Sequence, residues 1–292
     1  MGQCDFNTLF ALNVHHILEK IFFYLDYASY RTCMDVSKVW CELLTSKSFI
    51  RLGKTHFCKE IGKELWWAVK KNNVIKVRRI ISTTMIDVNF KLHRQTPLWL
   101  ASRMGYKDVV KHLLQAGADA NEVPTKSGWS LLHELVYFAN NKVLSLLLLG
   151  GAEVNKQTME RGRTPLHVAA SIGANPEAVE VLLDMGADPN VADHRGWTPL
   201  HWAIVFRPST IVEMLLNKGA ETHHLGQTFG KYHGTALHMA TKRGQTDKVR
   251  LLIDAGADIN IRDQNGRTPL AFPKKRGYTE IVNLLTDNGG TL

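Results

Sequence analysis

The chain has 292 residues, of which 45% are hydrophobic and 22% charged, with a formal net charge of +9. It is long enough to bury a sizeable core, and no apolar run reaches the roughly 20 residues needed to cross a bilayer. The basic residues are spread along the chain and interleaved with Asp and Glu, which argues against a nucleic-acid ligand and for an acidic protein or peptide partner.

Four cysteines, Cys4, Cys33, Cys41 and Cys58, fall in the N-terminal fifth and form no C-x-x-C pair. Reduced thiols are the expectation, with neither a disulfide framework nor a metal or catalytic Cys. The N-terminus lacks a basic region ahead of its first apolar stretch, so a secretory leader is not expected. These features place the chain in the cytoplasm, with the nucleus as the alternative.

In chain order, the first apolar group is Leu12, Ile17, Leu18, Ile21, Phe22 and Leu25, which has the spacing of a short amphipathic helix. Asp26 and Ser37 are candidate caps for two further helices carrying Tyr30, Cys33, Val36, Val39, Trp40, Leu43 and Leu44. A three-helix unit this small buries little surface alone, so it packs on the rest of the chain or on another protein.

Beyond it the chain is periodic. Thr96-Pro97-Leu98-Trp99, Ser130-Leu131-Leu132-His133, Thr164-Pro165-Leu166-His167, Thr198-Pro199-Leu200-His201, Thr235-Ala236-Leu237-His238 and Thr268-Pro269-Leu270-Ala271 start 34, 34, 34, 37 and 33 residues apart. Each Thr or Ser caps a first helix, and Pro sits in its first turn, where the missing N–H costs nothing. A second helix follows with apolar spacing such as Val109-Val110-Leu113-Leu114, and it ends at Gly117, Gly151, Gly186, Gly219, Gly256 or Gly289. Leu65–Val69, Val74–Ile81 and Asp87–Asn89 form a degenerate first copy without the hairpin box, and Pro273 with Lys274, Lys275 and Arg276 marks a solvated last one. The recurring His133, His167, His201 and His238 read as structural groups that bond the backbone of the next hairpin. No metal site is expected, because His223-His224 lacks spaced partners. No cofactor or catalytic residue is expected either, since no nucleophile–base pair or phosphate loop occurs.

The T-P-L-H box at a period near 33 resembles the ankyrin repeat. The order Leu12, Ile17-Leu18, Ile21-Phe22, Leu25, then Val36-Ser37-Lys38-Val39-Trp40, resembles the F-box, although Asn13 and His15 replace the usual Pro and Glu. The implied fold is all-α: a three-helix F-box at 10–52, a linker at 53–61, a capping repeat at 62–90 and six ankyrin repeats at 91–292, stacked as an α-solenoid with short β-hairpin turns.

The resemblance implies a substrate-recognition subunit of a Skp–cullin–F-box ubiquitin ligase. Leu12, Ile17, Leu18, Ile21, Phe22 and Leu25 would contact the Skp-family adaptor of the cullin–RING ligase. Substrate would meet the hairpin tips and the ends of the first helices, where Trp129, Tyr137, Phe138, Arg163, Trp197, Phe206, Arg207, Lys242 and Arg243 stand. Aromatic and Arg side chains dominate binding hot spots. They imply a protein segment with an apolar or aromatic anchor and acidic or phosphorylated flanks. The alternative is an ankyrin scaffold or inhibitor whose N-terminal helices only cap the stack. The lengthened loop between Gly219 and Thr235 is a candidate specificity element.

Overall fold

The computed structural model describes residues 61–83, 87–123, 127–171, 176–206, 208–228 and 232–292. The F-box-like segment at 10–52, with Leu12, Ile17, Leu18, Ile21, Phe22 and Leu25, lies outside these residues, as does Arg207. Among the described residues no helix is long and apolar enough to cross a membrane.

Two compact units are distinguished, and the first comprises described residues 61–100 and 116–118. A helix at 61–70 (α1) is followed by α2 (Val74–Thr83). Leu65, Trp66, Ala68 and Val69 of α1 are buried, as are Val77 and Ile80 of α2. Asn72 makes the turn between them at φ 51°. A Leu92–Gln95 bridge closes a tight hairpin through His93 and Arg94. The degenerate copy is therefore a helix pair like the others. Trp67 is half exposed, with Lys70 Nζ 4.8 Å above its ring.

Helix α3 (Pro97–Met104) passes from the first unit into the second, which continues with α4 (Lys107–Gln115), α5 (Leu131–Tyr137), α6 (Leu144–Leu149), α7 (Pro165–Ser171), α8 (Pro176–Asp184), α9 (Pro199–Phe206) and α10 (Ser209–Asn217). Then come strands β1 (Gly226–Thr228) and β2 (Tyr232–Gly234), which pair antiparallel, and helices α11 (Ala236–Arg243), α12 (Thr246–Asp254), α13 (Ala271–Arg276) and α14 (Thr279–Asp287). The second helices bury the stripe that their periodicity requires: Val109, Val110 and Leu113; Val179, Leu182 and Leu183; Ile211, Val212 and Leu215; Val249 and Leu252. They end in glycines at φ +79° to +90°. A Cβ at Gly186 or Gly219 would meet nothing within 4 Å, so these residues are chosen for the left-handed backbone alone.

The first helices are capped by an interlocked pair. In α11, Thr235 Oγ1 accepts from His238 N at 3.5 Å, while Thr235 N donates to His238 Nδ1 at 3.3 Å. This is a capping box with His in place of Glu. Because Nδ1 accepts, the proton of the neutral ring sits on Nε2, which donates to Arg267 O at 3.0 Å in the next unit. His133 reaches Arg163 O and His167 reaches Trp197 O in the same way, both at 2.9 Å. These three histidines thus cap their own helices and tie them to the following hairpin, as expected from their place in the repeat. His201 caps its helix alike, but its Nε2, against Gly226 of the lengthened loop, is buried without a hydrogen bond, which corrects the expectation there.

A second set of ties was not anticipated. Asn190 Nδ2 donates to Gly219 O at 3.0 Å and its Oδ1 accepts from Glu221 N at 2.8 Å. Asn121, Asn155 and Asn260 occupy equivalent positions. Two inter-unit bonds at a net of about 1 kcal/mol each give an expected loss of about 2 kcal/mol for Asn190→Ala, read from urea unfolding. Asn155→Ala should cost less, because its Nδ2 stands 3.5 Å from Gly186 O.

One helix end is secured from a neighbouring unit. Helix α9 runs into Pro208 with no glycine to close it, and Lys248 Nζ donates to Ile204 O at 2.7 Å and lies 3.4 Å from Ala203 O. Burial first, and Arg243 second, pull this amine down to about 8. The last unit starts late: α13 opens at Ala271, and Pro273 is buried within its first turn, where its missing N–H removes no helical bond.

Candidate partner-binding surface

The ends of the first helices place apolar side chains in solvent. Met104 at the end of α3, Phe138 just past α5 and Phe206 at the end of α9 are 54%, 58% and 51% exposed. Tyr137 adds a ring 5.1 Å from Phe138 and edge-on to it, and Trp129 packs edge-on against Tyr137 at 5.5 Å. The Arg103 guanidinium lies 5.5 Å from the Phe138 ring centre. Together Arg103, Met104, Phe138, Asn140 and Lys142 line an open groove of about 410 Å³. Asn140 Nδ2, which lines it, donates to Ser102 O and Arg103 O at 3.1 and 3.0 Å.

Trp197 departs from its expected role. Its place at a hairpin tip predicts an exposed anchor, whereas the ring is only 3% exposed. The reason is the lengthened loop of the next unit: Gly226 at the start of β1 lies so close that a Cβ there would stand 2.7 Å from Trp197 Cδ1. Trp197 packs 4.8 Å from Trp202, and Trp202 stacks on Phe206 at 5.5 Å. The Trp202 indole N–H donates to Asp193 Oδ2 at 3.1 Å. Arg163 lies 3.9 Å above the Trp202 ring, a cation–π contact within the protein. Of this group only Phe206 offers a large apolar face to solvent.

Lys242 and Arg243 are brought together with basic groups of the last unit. Arg276 donates to Lys242 O at 2.9 Å, and both Lys242 and Arg267 lie over the Phe272 ring, at 5.3 and 4.7 Å. Burial, then the charges of Arg276, Arg267 and Arg243, lower the Lys242 amine from its ordinary value. Asp263 offsets part of this excess by accepting from Arg267 Nε at 2.9 Å. Lys274, Lys275 and Arg276 are exposed beside it. The second unit therefore carries apolar groups at the ends of α3, α5 and α9 and a cationic cluster at the ends of α11 and α13. Phe272, Asp193 and Lys248 were not singled out in the sequence, because each acts on a neighbouring unit or a distant turn and has no local signature.

The family described as Ankyrin repeats (3 copies) matches residues 49–124, 132–225 and 222–291. A stretch of 58 residues, 20% of this chain, is 47% identical to protein phosphatase 1 regulatory subunit 12A of Mus musculus. Another of 73 residues, 25% of this chain, is 40% identical to the ARF GTPase-activating protein GIT1 of Homo sapiens. The matched stretches span only 6% and 9% of those proteins. The crystal structure of the ankyrin repeat domain of Bcl-3, described as a member of the IkappaB protein family, aligns with a TM-score of 0.66 at 29% identity, over 76% of this chain and 97% of that one. Helix pairs, capping boxes and family match agree: this chain belongs to the ankyrin-repeat family.

Proposed function

We propose that this chain is a protein-recognition scaffold that binds rather than catalyses, and that its partner is a polypeptide with an apolar or aromatic anchor and acidic or phosphorylated flanks. The observation that carries this reading is the division of the second unit's exposed helix ends into an apolar set, Met104, Tyr137, Phe138 and Phe206, and a cationic set, Lys242, Arg243, Lys274, Lys275 and Arg276. Central aromatics supply affinity, and rim charges set orientation and on-rate. The relatives include a phosphatase regulatory subunit and a GTPase-activating protein, and the likeness covers only a small share of each, so recognition of a protein is what carries across.

Affinity capture from cell lysate, followed by binding measurements on the captured partner, tests this. Phe138→Ala with Phe206→Ala should weaken binding by about tenfold or more. Lys242→Glu with Arg243→Glu should slow association, and most at low salt. A partner whose binding is indifferent to both pairs sinks the reading.

A finer reading rests on the order of residues between Leu12 and Trp40. There the chain would dock on a Skp-family adaptor and present its partner for ubiquitination by a cullin–RING ligase, in the cytoplasm or nucleus. Holding the partner near the ligase raises its effective concentration. Leu18→Ala with Phe22→Ala is expected to abolish adaptor capture by the full chain while partner binding persists. Capture that survives the double substitution leaves the scaffold reading alone.

A further inference from the structure

The start of the lengthened loop departs from the repeat in chemistry as well as in length. Asn89, Asn121, Asn155, Asn190 and Asn260 occupy one repeat position, and the equivalent residue here is His223. In place of the inter-unit bond that those asparagines make, the His223 ring is turned toward Glu221, with Nε2 3.4 Å from Oε2. The neighbouring His224 presents its own Nε2 to the same oxygen at 3.0 Å. The two rings are stacked, with centres 5.0 Å apart and planes 16° from parallel. Donor atoms of all three residues lie within 4.8 Å of one another. The site is anchored at its base, because Glu221 N donates to Asn190 Oδ1 at 2.8 Å. It is also open to solvent: the Glu221, His223 and His224 side chains are 48%, 66% and 30% exposed.

We infer that Glu221, His223 and His224 form a binding site for a divalent transition-metal ion of the zinc type. Two imidazoles and a carboxylate are donors that suit this class, and neutral imidazoles bring a lone pair without adding charge. A tetrahedral ion with bonds of about 2.0–2.2 Å to N and O has donor–donor edges of about 3.3–3.6 Å. The Nε2–Oε2 separations of 3.4 and 3.0 Å lie within a few tenths of an ångström of that range, and all three donors lie within 4.8 Å of one another, so small side-chain rotations complete the set. On binding, each ring carries its proton on Nδ1 and offers Nε2 to the ion. Three protein ligands leave a fourth position for water or for a donor from a bound partner. The ion clamps the chain where the asparagine tie is missing. In sequence the histidine pair lacks spaced partners; the turn at residues 221–224 supplies Glu221 as the third donor.

The test uses the untagged full chain, titrated with Zn2+ by calorimetry and with Co2+ by its visible absorption. One saturable equivalent is expected, together with a rise in thermal midpoint on adding Zn2+. His223→Asn restores the residue used by the other units, so it should fold as the parent does. It should weaken binding by more than about tenfold and abolish the thermal rise. His224→Ala and Glu221→Gln should weaken binding as well. Because the chain has 13 histidines, the variants are what assign the binding to this turn. Unchanged affinity in either histidine variant, or no saturable binding by the parent chain, overturns the site.

Discussion

The repeat stack is expected to lose most of its stability as the pH falls from about 6.5 to about 4. Burial pulls the His133, His167 and His201 imidazoles from 6.5 down to about 4, against carbonyl hydrogen bonds that oppose the shift at His133 and His167 and with the nearby His224 charge adding to it at His201, and burial lowers His238 as well. The geometry gives the reason. Nδ1 of each ring accepts from the backbone N–H of its capping Ser or Thr, so a proton placed there meets a donor and breaks the box. In this window the unfolded chain binds protons that the native chain does not, so stability falls as pH falls. Each of the three costs up to roughly 3 kcal/mol once the pH is below both values. Their sum approaches the roughly 5–15 kcal/mol that holds an ordinary domain together. Urea midpoints between pH 7.5 and pH 4 (about the span of these shifts) should drop steeply, and His167→Gln should flatten the slope because Gln completes the box without titrating. A midpoint that stays constant across the window would falsify the assignment of neutral, Nδ1-accepting rings.

The periodic part of the architecture was legible because it is local. The Thr or Ser cap, the Pro in the first turn, the apolar stripe and the closing glycine each act within one unit, and their recurrence announces the fold. The histidine tie was legible for the same reason at His133, His167 and His238: the ring sits at a fixed place, and the next hairpin accepts from it. At His201 the lengthened loop replaces that regular hairpin and the tie is lost. Most of what escaped was set by neighbouring units. Trp197 at a hairpin tip reads as exposed until the next unit's loop, two residues of which are Leu225 and Gly226, is laid across it. Lys248 has no local signature, since the carbonyls it caps lie 44 and 45 residues earlier in the chain. Glu221, His223 and His224 match no regular metal-ligand spacing, and only the turn brings their donors to one place. Phe138 and Phe206 were recognisable, because an aromatic at the end of a first helix serves no need of the repeat itself.

That contrast between Trp197 and the exposed rings has a large measurable consequence. Trp197→Ala is expected to cost the stack about 3–5 kcal/mol, the range for removing a large buried aromatic from a packed core. The ring is held on several sides: against Trp202 at 4.8 Å, beside His201 at 6.2 Å, and beneath the loop that starts at Gly226. Its backbone lies inside a network in which Trp197 N donates to Asp193 Oδ1 at 3.0 Å and its carbonyl accepts from His167 Nε2 at 2.9 Å. Truncation therefore opens a cavity between two units and loosens a hydrogen-bonded turn, so unfolding should begin at this junction, because a repeat array is only as continuous as its nearest-neighbour contacts. Phe206 differs: half of its surface already faces water, and its stacking on Trp202 is worth about 1 kcal/mol. Phe206→Ala should lower the urea midpoint only slightly while weakening partner binding, whereas Trp197→Ala should lower both together. Hydrogen exchange localises the effect, since amides of α9 and α11 should lose protection in Trp197→Ala and keep it in Phe206→Ala. Equal and mild destabilisation by the two substitutions would mean that the Trp197 ring is not packed between units, and it would return to the set of exposed anchors.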